Sequence, residues 1–468
     1  MMYLTEAAQA LSAHLHGADI EFSSVSTDTR TLQRGALFVA LRGVRFDGHD
    51  FVRQALEHGA SAALVDTKFQ AQAAAIDAAA PLLVVTDTRL GLGQLAATWR
   101  NRFDLPLIAV TGSNGKTTVK EMLAAILAVA AGNTQAVLAT QGNLNNDIGM
   151  PLMLLRLRAS HRFAVIEMGM NHQGEIDYLT RLARPTVALV NNAQSAHVGE
   201  LGSIENIAHA KGEIFAGLCP GGIAVINADD AFAPLWRDLN NGRAVIEFGL
   251  EHPARVTGRY QLHAAGTRLE IELPQQTIAV HLQVPGLHNV RNALAASAAA
   301  LALQVTPHAI AQGLNAFKGV PGRLQSKAVL HGATLIDDSY NANPGSVRAA
   351  IEVLAQASGE KILVLGDMGE LGAEGPQLHA EIGRYAQQQG IHTLFCLGDL
   401  TCHAAQAFGA GARHFERIQE LLADLENCLS PTVTVLVKGS RFMQMERVVK
   451  SFEVACTPSA LEGVRNET

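Results

Sequence analysis

The feature of this sequence that most constrains its fold is a glycine-rich loop that directly follows a short apolar run. Residues 107–110 (Leu-Ile-Ala-Val) have the length and composition of a buried strand. Residues 111–118 (Thr-Gly-Ser-Asn-Gly-Lys-Thr-Thr) come next, before a stretch rich in Ala and Leu. In a strand–loop–helix unit, glycines let backbone N–H groups turn toward phosphate oxygens, and the positive end of the helix faces the same anion. The sequence therefore predicts an α/β fold that binds a nucleotide phosphate.

The side chains of this loop have predicted roles of their own. Lys116 is placed to reach the β- and γ-phosphates, and the Thr117 hydroxyl can ligate Mg²⁺. The usual spacing of such loops has a glycine where this chain has Val110. A Gly-Lys-Thr run also occurs by chance in turns, but the flanking strand and helix argue against chance here. The predicted ATP contacts are Gly112, Ser113, Asn114, Gly115, Lys116, Thr117 and Thr118. Phosphate binding alone leaves a motor, a switch or a kinase open.

Apolar runs alternate with helical segments along the rest of the chain. With 468 residues the chain is too long for one ordinary core, so two to four domains are expected. Central strands are predicted at 163–167, 187–191 and 223–227, followed by a small antiparallel insert at 254–284. Apolar runs that end in polar residues lie at 334–336, 362–365, 393–397 and 433–437. Each ending alone is typical of an ordinary turn, but four together favour the ligand-binding edge of a mostly parallel sheet with helices on both faces.

Composition excludes several classes of protein. Hydrophobic residues make up 48% and charged residues 17% of the chain, which is typical of a packed globular protein. The net charge is −7 and no basic block occurs, so a nucleic-acid partner is not expected. No apolar run approaches the roughly 20 residues of a membrane span, and the N-terminus does not resemble a signal peptide. Five scattered cysteines without CxxC spacing predict free thiols and a cytoplasmic location.

Two polar residues that follow central strands extend the prediction for the phosphate site. Glu167 ends the strand at 163–167, where other phosphate-loop enzymes carry an acidic metal ligand on a neighbouring strand. His197 follows the strand at 187–191. A lone Glu or His at a strand end is more often structural or solvated, so neither residue is decisive by itself.

These segments together resemble the Mur ligases, the ATP-dependent enzymes that build the peptide of peptidoglycan. The resemblance covers nearly the whole chain. In the first two thirds it rests on residues 111–118, 142–146, 167–172, 197–200, 210–214 and 286–292. In the last third it rests on residues 321–323, 337–344, 366–372 and 438–441. The loop, Glu167, His197, Lys211 and Arg323 are marks of the wider family, whereas 338–344 and 366–372 indicate the member that uses a D-alanyl-D-alanine dipeptide.

The resemblance implies three α/β domains. Residues 1–103 would bind a UDP-linked substrate, and residues 104–322 would bind ATP on a central, mostly parallel sheet of P-loop type with helices on both faces. Residues 323–468 would form a Rossmann-like domain that binds the incoming dipeptide. A polar break with a proline at 102–106 supports the first of these boundaries.

The resemblance also implies roles for single residues. The catalytic residues would be Lys116, Lys211, His197 and Arg323. The ligands around two Mg²⁺ ions would be Thr117, Glu167, His197 and Lys211, the last as a carbamate formed with CO₂. Chemically, a carbamate adds an anionic oxygen to a dication site that a lysine would otherwise repel. The ATP site would be completed by His288, Asn289, Asn292, Arg323 and Asp338.

In the first domain the resemblance implies a site for the UDP group. Its residues would be Ser26, Thr29, Arg30, Asp47, Gly48 and His49. Hydroxyls, amides beside glycines and an arginine suit a diphosphate, although clusters of Ser, Thr and Asp also cap ordinary helices and turns. Thr29 stands where the family pattern has serine, which keeps the hydroxyl.

The activity implied is the ATP-dependent addition of D-alanyl-D-alanine to UDP-N-acetylmuramoyl-tripeptide through an acyl phosphate, by a monomeric enzyme. Rivals of the same architecture are a folylpolyglutamate synthase and the ligase for the third peptide residue. The chain lacks a folate-type loop signature, and it has Asn-Pro-Gly at 343–345 where the third-residue enzyme has Asp-Asn-Pro-Arg. A non-catalytic nucleotide switch would leave the metal residues and the UDP-type domain unexplained.

Overall fold

The fold is that of a computed structural model, and the structure describes residues 1–44, 46–69, 80–194, 201–263 and 266–453. The first part contains strands β1 Met2–Tyr3, β2 His14–His16, β3 Glu21–Phe22, β4 Ser24–Ser26, β5 Ala36–Val39, β6 Ala62–Asp66 and β7 Leu82–Val85. Its helices are α1 Leu4–Leu11, α2 Val52–Glu57 and α3 Thr88–Arg100. The five-stranded sheet has the order β2-β7-β6-β5-β4 and is parallel except for β2. Its central strands β5, β6 and β7 are buried along their whole length, because both faces of the sheet are covered.

The middle part is built on a six-stranded sheet with the order β13-β12-β11-β8-β10-β9, in which every pair is parallel. The strands are β8 Leu107–Thr111, β9 Val137–Ala139, β10 Phe163–Glu167, β11 Val187–Val190, β12 Ile223–Asn227 and β13 Val245–Phe248. The helices are α4 Lys116–Ala131, α5 Gly149–Leu154, α6 Glu175–Ala183, α7 Ile204–Gly212, α8 Ala233–Leu239, α9 Leu287–Ala302 and α10 Pro307–Ala316. A separate antiparallel sheet contains β14 Thr257–His263, β15 Gly266–Glu272 and β16 Thr277–Leu282.

The last part has a six-stranded sheet with the order β17-β18-β22-β19-β20-β21, in which only the edge strand β17 is antiparallel. The strands are β17 Gln325–Ala328, β18 Thr334–Asp338, β19 Glu360–Gly366, β20 Thr393–Leu397, β21 Ala412–Phe415 and β22 Val433–Lys438. The helices are α11 Pro344–Ala355, α12 Gly375–Gln388, α13 Thr401–Phe408, α14 Ile418–Cys428 and α15 Glu446–Phe452. Short 3₁₀ turns lie at Gly48–Phe51, Thr134–Ala136, Glu213–Gly217, Leu330–Gly332, Gly372–Glu374 and Arg441–Met443.

The predicted fold class is confirmed: parallel sheets are flanked by helices, and the predicted insert is antiparallel. The strands predicted at 163–167, 223–227 and 393–397 have the predicted bounds. The edge strands β13, β17 and β21 were missed, because one face of an edge strand is only partly buried and its pattern is weaker. The division at 103/104 and 322/323 stays a prediction. Among the described helices, none is both long and apolar enough to cross a bilayer.

Local sequence signals fix the segments that surround the central cleft. Strands β8, β10 and β11 are neighbours in register, so Thr111, Glu167 and Asn191 come out at one edge of the sheet. Helix α11 begins with a capping box, in which Asn343 accepts from the Ser346 N–H at 2.9 Å and the Ser346 hydroxyl accepts from the Asn343 N–H at 3.0 Å. These signals bring the carboxyl edge of the middle sheet and the start of α11 to the same place.

Candidate active site

A cleft of about 1200 Å³ lies at the carboxyl edge of the middle sheet. Its lining combines the loop between β8 and α4 with polar residues that follow β10, β11 and β12, and residues 322–442 form the opposite wall. The predicted residues that line it are Ser113, Asn114, Gly115, Lys116, Thr117, Thr118, Glu167, Lys211, His288, Asn289, Asn292, Arg323 and Asp338. Of the predicted phosphate, metal and nucleotide residues that the structure describes, all except Gly112 therefore lie together in the lining of this cleft.

The conformation of the phosphate loop depends on glycine at one position. Gly115 has φ +82°, and a Cβ there would lie 2.3 Å from Asn292 Oδ1 and 2.6 Å from Asn191 Nδ2. Glycine alone meets both the left-handed backbone and the close approach. Asn191 Nδ2 in turn donates to the Asn114 carbonyl at 3.0 Å and to Asn292 Oδ1 at 3.0 Å. The loop is thus tied to the end of β11 and to helix α9.

Lys116 is the first residue of α4, and its ammonium lies inside the loop. Its Nζ donates to the carbonyls of Gly112 at 2.7 Å and Ser113 at 3.4 Å. Burial lowers the pKa of Lys116, while the negative charge of Glu167 acts in the opposite direction. A cation fixed among inward-facing backbone groups is suited to a phosphate oxygen, because it is already oriented before the ligand arrives.

Thr117 and Glu167 form the oxygen-rich corner of the cleft. The Thr117 hydroxyl donates to Glu167 Oε2 at 2.9 Å, and Asn145 Nδ2 donates to Glu167 Oε1 at 2.8 Å. Hydroxyl and carboxylate oxygens are the ligands that Mg²⁺ prefers. No group of three or more His, Cys, Asp or Glu suited to a metal occurs within the described ranges, and His197 lies outside them.

Lys211 lies near the end of α7 and is buried, although a lone lysine is normally exposed. Burial lowers its pKa well below the usual value, and the charge of Lys116 adds to this effect. None of the carboxylates in the described part of the chain forms an ion pair with it. A buried amine that disfavours its charged form is suited to react as the free base.

His288, Asn289 and Asn292 form one end of the cleft, at the start of α9. Burial lowers the pKa of His288 to about 4, and the charges of Lys438 and Arg291 add to this effect, so its imidazole is neutral at neutral pH. Asn292 Nδ2 donates to Asn289 Oδ1 at 3.3 Å. Neutral hydrogen-bonding groups of this kind suit an uncharged base or sugar rather than a phosphate.

The opposite wall meets the phosphate loop directly. Arg323 Nη2 donates to the Thr117 hydroxyl at 3.0 Å, and the Arg323 guanidinium stacks on Tyr340 at 4.4 Å from the ring centre. Asn343 Nδ2 donates to Asn114 Oδ1 at 2.9 Å. These contacts place an arginine and an amide from the last third of the chain beside the Lys116 loop.

Asp338 lies deeper in the same wall and is paired with a lysine. Lys438 Nζ donates to Asp338 Oδ2 at 2.5 Å, and the Leu324 N–H donates to Asp338 Oδ1 at 3.2 Å. Burial raises the pKa of Asp338, although the charge of Lys438 opposes this. The pair holds the backbone beside Arg323 in place, since Leu324 follows Arg323 directly.

The six residues predicted to bind UDP lie outside the lining of this cleft. In the segment 26–30, the Arg30 guanidinium is exposed and pairs with Asp28 at 2.7 Å, and the pKa of Asp28 is lowered to about 2 by the hydrogen bonds from Arg30. The Ser26 hydroxyl accepts from the Asp28 N–H at 3.2 Å, and Thr29 is half-buried. This segment forms a hydrogen-bonded turn with an exposed cation.

Asp47, Gly48 and His49 form a compact structural unit. His49 Nδ1 donates to Asp47 Oδ1 at 2.6 Å, while His49 Nε2 accepts from the Asp66 N–H at 3.1 Å, which defines one neutral tautomer. A Cβ at Gly48 would lie 2.7 Å from the backbone of Leu41, so this position requires glycine for packing. The hydrogen bonds of Asp47 and His49 and the close packing at Gly48 give all three residues a structural role in the fold.

Several residues of the cleft had no role assigned from the sequence. Asn192 Oδ1 accepts from the Asn114 N–H at 2.9 Å, and Gln194 Oε1 accepts from Asn114 Nδ2 at 2.6 Å. Asn145 and Lys438 were likewise unassigned. For Asn192 and Gln194 the available signal was their position after a strand of the central sheet, where ligand-facing residues concentrate. For Asn145 and Lys438 it was their place in the runs 142–146 and 438–441 that carry the family resemblance.

Family models match three stretches of this chain. The Mur ligase family catalytic domain matches residues 21–100, the Mur ligase middle domain matches residues 110–300, and the Mur ligase glutamate ligase domain matches residues 322–441. A UDP-N-acetylmuramoyl-tripeptide–D-alanyl-D-alanine ligase from Escherichia coli (strain K12) is 44% identical over 96% of this chain and 98% of its own.

Solved structures agree with these matches. The MurF structure from Acinetobacter baumannii is 38% identical with a TM-score of 0.88, covering 96% of this chain and 97% of that one. A MurF ligase from Thermotoga maritima in complex with ADP is 28% identical with a TM-score of 0.81, covering 91% of this chain and 96% of that one. In sequence and in fold, this chain belongs to the Mur ligase family.

Proposed function

We propose that this chain catalyses the ATP-dependent addition of D-alanyl-D-alanine to UDP-N-acetylmuramoyl-tripeptide, a step of peptidoglycan synthesis. The observation that carries the proposal is the junction of the Lys116 loop with Arg323 and Asn343, which joins a phosphate site to a wall built by the last third of the chain. A relative of that printed name, 44% identical over almost the full length of both chains, supports the choice of substrates. The family shares this architecture, so the substrates and not the fold distinguish this member.

The reaction begins at the phosphate loop. The tripeptide carboxylate attacks the γ-phosphate of ATP, which gives an acyl phosphate and ADP. Lys116 neutralises charge that develops on the transferring phosphoryl group, and the loop N–H groups hold its oxygens. The amine of D-alanyl-D-alanine then attacks the acyl carbon, and phosphate leaves from a tetrahedral intermediate. Arg323 reaches the loop from the opposite wall, so closure of that wall would exclude water from the acyl phosphate.

The oxygen-rich corner fits Mg²⁺, and we propose that Thr117, Glu167, Lys211 and His197 hold two such ions. The hydrogen bond between Thr117 and Glu167, which brings a hydroxyl and a carboxylate oxygen together, supports this proposal. When bound, Mg²⁺ would neutralise negative charge on the phosphate oxygens. Lys211 would contribute as a carbamate, which is supported by its burial and by a pKa that burial holds well below the usual value.

The remaining assignments concern the other parts of the chain. We propose that residues 1–103 bind the UDP group through Ser26, Thr29, Arg30, Asp47, Gly48 and His49, and the exposed Arg30 supports this assignment. We propose that residues 104–322 bind ATP and residues 323–468 bind the dipeptide. We also propose that the enzyme is monomeric and cytoplasmic. The cytoplasmic location is supported by free thiols at the four cysteines within the described ranges, Cys219, Cys396, Cys402 and Cys428.

An assay with separate substrates tests this function against its rivals. Purified protein with UDP-N-acetylmuramoyl-tripeptide, D-alanyl-D-alanine and ATP should give the pentapeptide product, ADP and phosphate. Omission of either the dipeptide or the UDP-peptide should abolish product. Ligation of a single diamino acid to the dipeptide precursor, or of glutamate to a folate, would favour one of the rival ligases instead.

We predict that an ¹⁸O label will show that the reaction passes through an acyl phosphate. With ¹⁸O in the tripeptide carboxylate, one labelled oxygen should appear in the released phosphate, because the oxygen that bridges carbon and phosphorus leaves with phosphorus. Mass spectrometry of the phosphate measures this. An adenylate route would place the label in AMP, and unlabelled phosphate during productive ligation would refute the mechanism.

We predict that Thr117→Ala will raise the Mg²⁺ concentration needed for half-maximal activity by about tenfold or more, since losing a group that supports a metal site typically costs that much. Thr117→Ser keeps the hydroxyl and serves as the matched control. A magnesium titration of the three proteins measures the effect. Identical titration curves for Thr117→Ala and the native protein would remove Thr117 from the ligand set.

A further inference from the structure

Five arginines of the described residues line the cleft, and four of them pair with a carboxylate. These pairs are Arg89 with Asp147, Arg291 with Glu251, Arg348 with Glu381 and Arg441 with Glu446. The fifth arginine, Arg323, forms no ion pair with any residue that the structure describes. An arginine side chain has many rotamers, so a guanidinium that acts at one point needs another group to hold it there. A group other than a carboxylate must therefore fix Arg323.

Two contacts hold the Arg323 guanidinium. Nη2 donates to the Thr117 hydroxyl at 3.0 Å, and the guanidinium carbon lies over the Tyr340 ring at 4.4 Å from its centre. The buried Nε atom has no hydrogen-bond partner within the described ranges. The Arg441 guanidinium also lies over this ring, but at 5.8 Å. Because one hydrogen bond leaves a guanidinium free to rotate, the stack on Tyr340 is the contact that orients Arg323.

The backbone keeps Tyr340 in register with Arg323. The Tyr340 N–H donates to the carbonyl of Gly322 at 3.1 Å, and Gly322 directly precedes Arg323. Gly322 has φ +72°, and a Cβ there would lie 3.3 Å from the Tyr340 Cβ, so the two segments pack closely at this point. The ring and the guanidinium are therefore brought together by the backbone and not by their side chains alone.

A ring holds an arginine differently from a carboxylate. A carboxylate accepts from the guanidinium N–H groups and neutralises the charge, whereas the face of a ring attracts the cation and leaves the N–H groups free. In the proposed reaction, the cation beside the phosphate loop must offer both charge and donors to the transferring phosphoryl group. We propose that Tyr340 is the positioning residue of Arg323, whose guanidinium it holds at the phosphate loop with its donors available. This assignment rests on the proposed function and adds a residue to it.

The test compares Tyr340→Leu, which removes the ring, with Tyr340→Phe, which keeps it. Loss of a partly buried cation–π contact typically costs a factor of about 5 to 30, so kcat for ligation should fall by that factor in Tyr340→Leu. The KM values for D-alanyl-D-alanine and the UDP-tripeptide should stay within about twofold, because the arginine acts on the phosphoryl group in the transition state. Tyr340→Phe should keep kcat within about twofold of native, since the contact requires only the ring. Tyr260→Leu changes an exposed tyrosine outside the cleft lining and is the matched control.

A double-mutant cycle with Arg323→Ala separates an effect through the arginine from an effect on substrate or fold. In the Arg323→Ala background, Tyr340→Leu should reduce kcat by less than about twofold, because the ring has lost the group on which it acts. Radiolabelled ATP makes the slow turnover of this background measurable. Equal losses in both backgrounds would overturn the assignment, because the ring would then act through Arg441, the substrate or the fold. Equal losses in Tyr340→Phe and Tyr340→Leu would also overturn it, since they would assign the role to the hydroxyl.

Crystal structures of the native protein and of both Tyr340 variants test the stack without an activity assay. The Arg323 guanidinium should occupy one position in the native protein and in Tyr340→Phe, and it should be displaced or split between positions in Tyr340→Leu. An unchanged guanidinium in Tyr340→Leu would refute the positioning role. If the native protein forms no pentapeptide product, the proposed function fails, and the comparison of these structures still decides whether Tyr340 holds Arg323.

Discussion

Replacement of Lys116 by alanine is expected to abolish ligation, with kcat reduced by at least about 10³-fold, while the protein stays folded. Removal of one fixed donor to a developing charge typically costs a factor of about 10² to 10³, and the Lys116 Nζ is fixed inside the loop by hydrogen bonds to two loop carbonyls. Both partial reactions, formation of ADP and trapping of the acyl phosphate by hydroxylamine, should be lost together. Steady-state kinetics measure this loss.

The control for this experiment is an exposed lysine whose side chain is not part of the cleft lining. Lys318→Ala removes an exposed lysine outside the cleft lining and should retain native kinetics. Circular dichroism and the thermal unfolding midpoint should match the native protein in both variants. The loss of the Lys116 hydrogen bonds to the Gly112 and Ser113 carbonyls is local, because both carbonyls belong to the same loop as Lys116. A kcat near the native value in Lys116→Ala would show that the loop is not the catalytic phosphate site.

Replacement of Lys211 by alanine is expected to reduce activity by about 10²- to 10³-fold, a loss like that of other fixed electrostatic groups. If Lys211 acts as a carbamate, the alanine variant should recover part of its activity with high concentrations of formate or acetate, whose carboxylate can fill the vacated space. Lys211→Met fills that space with an apolar side chain of similar length, so the same acids should not rescue it.

A direct measurement separates carbamylation from a merely structural lysine. After incubation with ¹³C-labelled bicarbonate, ¹³C NMR should show a carbamate signal in the native protein and none in Lys211→Ala. Burial and the charge of Lys116 lower the pKa of the buried Lys211, which favours the free base that reacts with CO₂. Absence of rescue by every short acid, together with absence of a carbamate signal, would sink the hypothesis.

The local parts of this protein were predictable because their physical causes lie close together in sequence. The phosphate loop follows from an apolar strand, glycines and a helix start within a dozen residues, and the structure has β8 and α4 where the pattern predicts them. Val110 stands where the usual spacing of phosphate loops has a glycine, and the structure explains this difference. Val110 lies within β8 and pairs with Glu167 and Leu189 in the parallel sheet, so the strand extends to Thr111 before the loop begins.

The roles that came from resemblance could not be obtained from local pattern. Lys211 reads as a surface lysine in the sequence, and only the packing around α7 shows that it is buried. For Asp47 and His49, which the resemblance places at the UDP site, only the tertiary structure shows that they are hydrogen-bonded to each other and that His49 also bonds to the Asp66 N–H.

The sequence alone determined the α/β class, the phosphate loop and the residues available for chemistry, since strand and helix patterns and glycine turns depend on neighbours in the chain. Only the tertiary structure decided which of these residues meet. Arg323 reaches Thr117 across 206 residues, and Asn343 reaches Asn114 across 229. Such contacts depend on how separate sheets pack. Burial then lowers the pKa values of Lys116, Lys211 and His288, because the cost of a buried charge depends on the whole surrounding structure and not on adjacent residues.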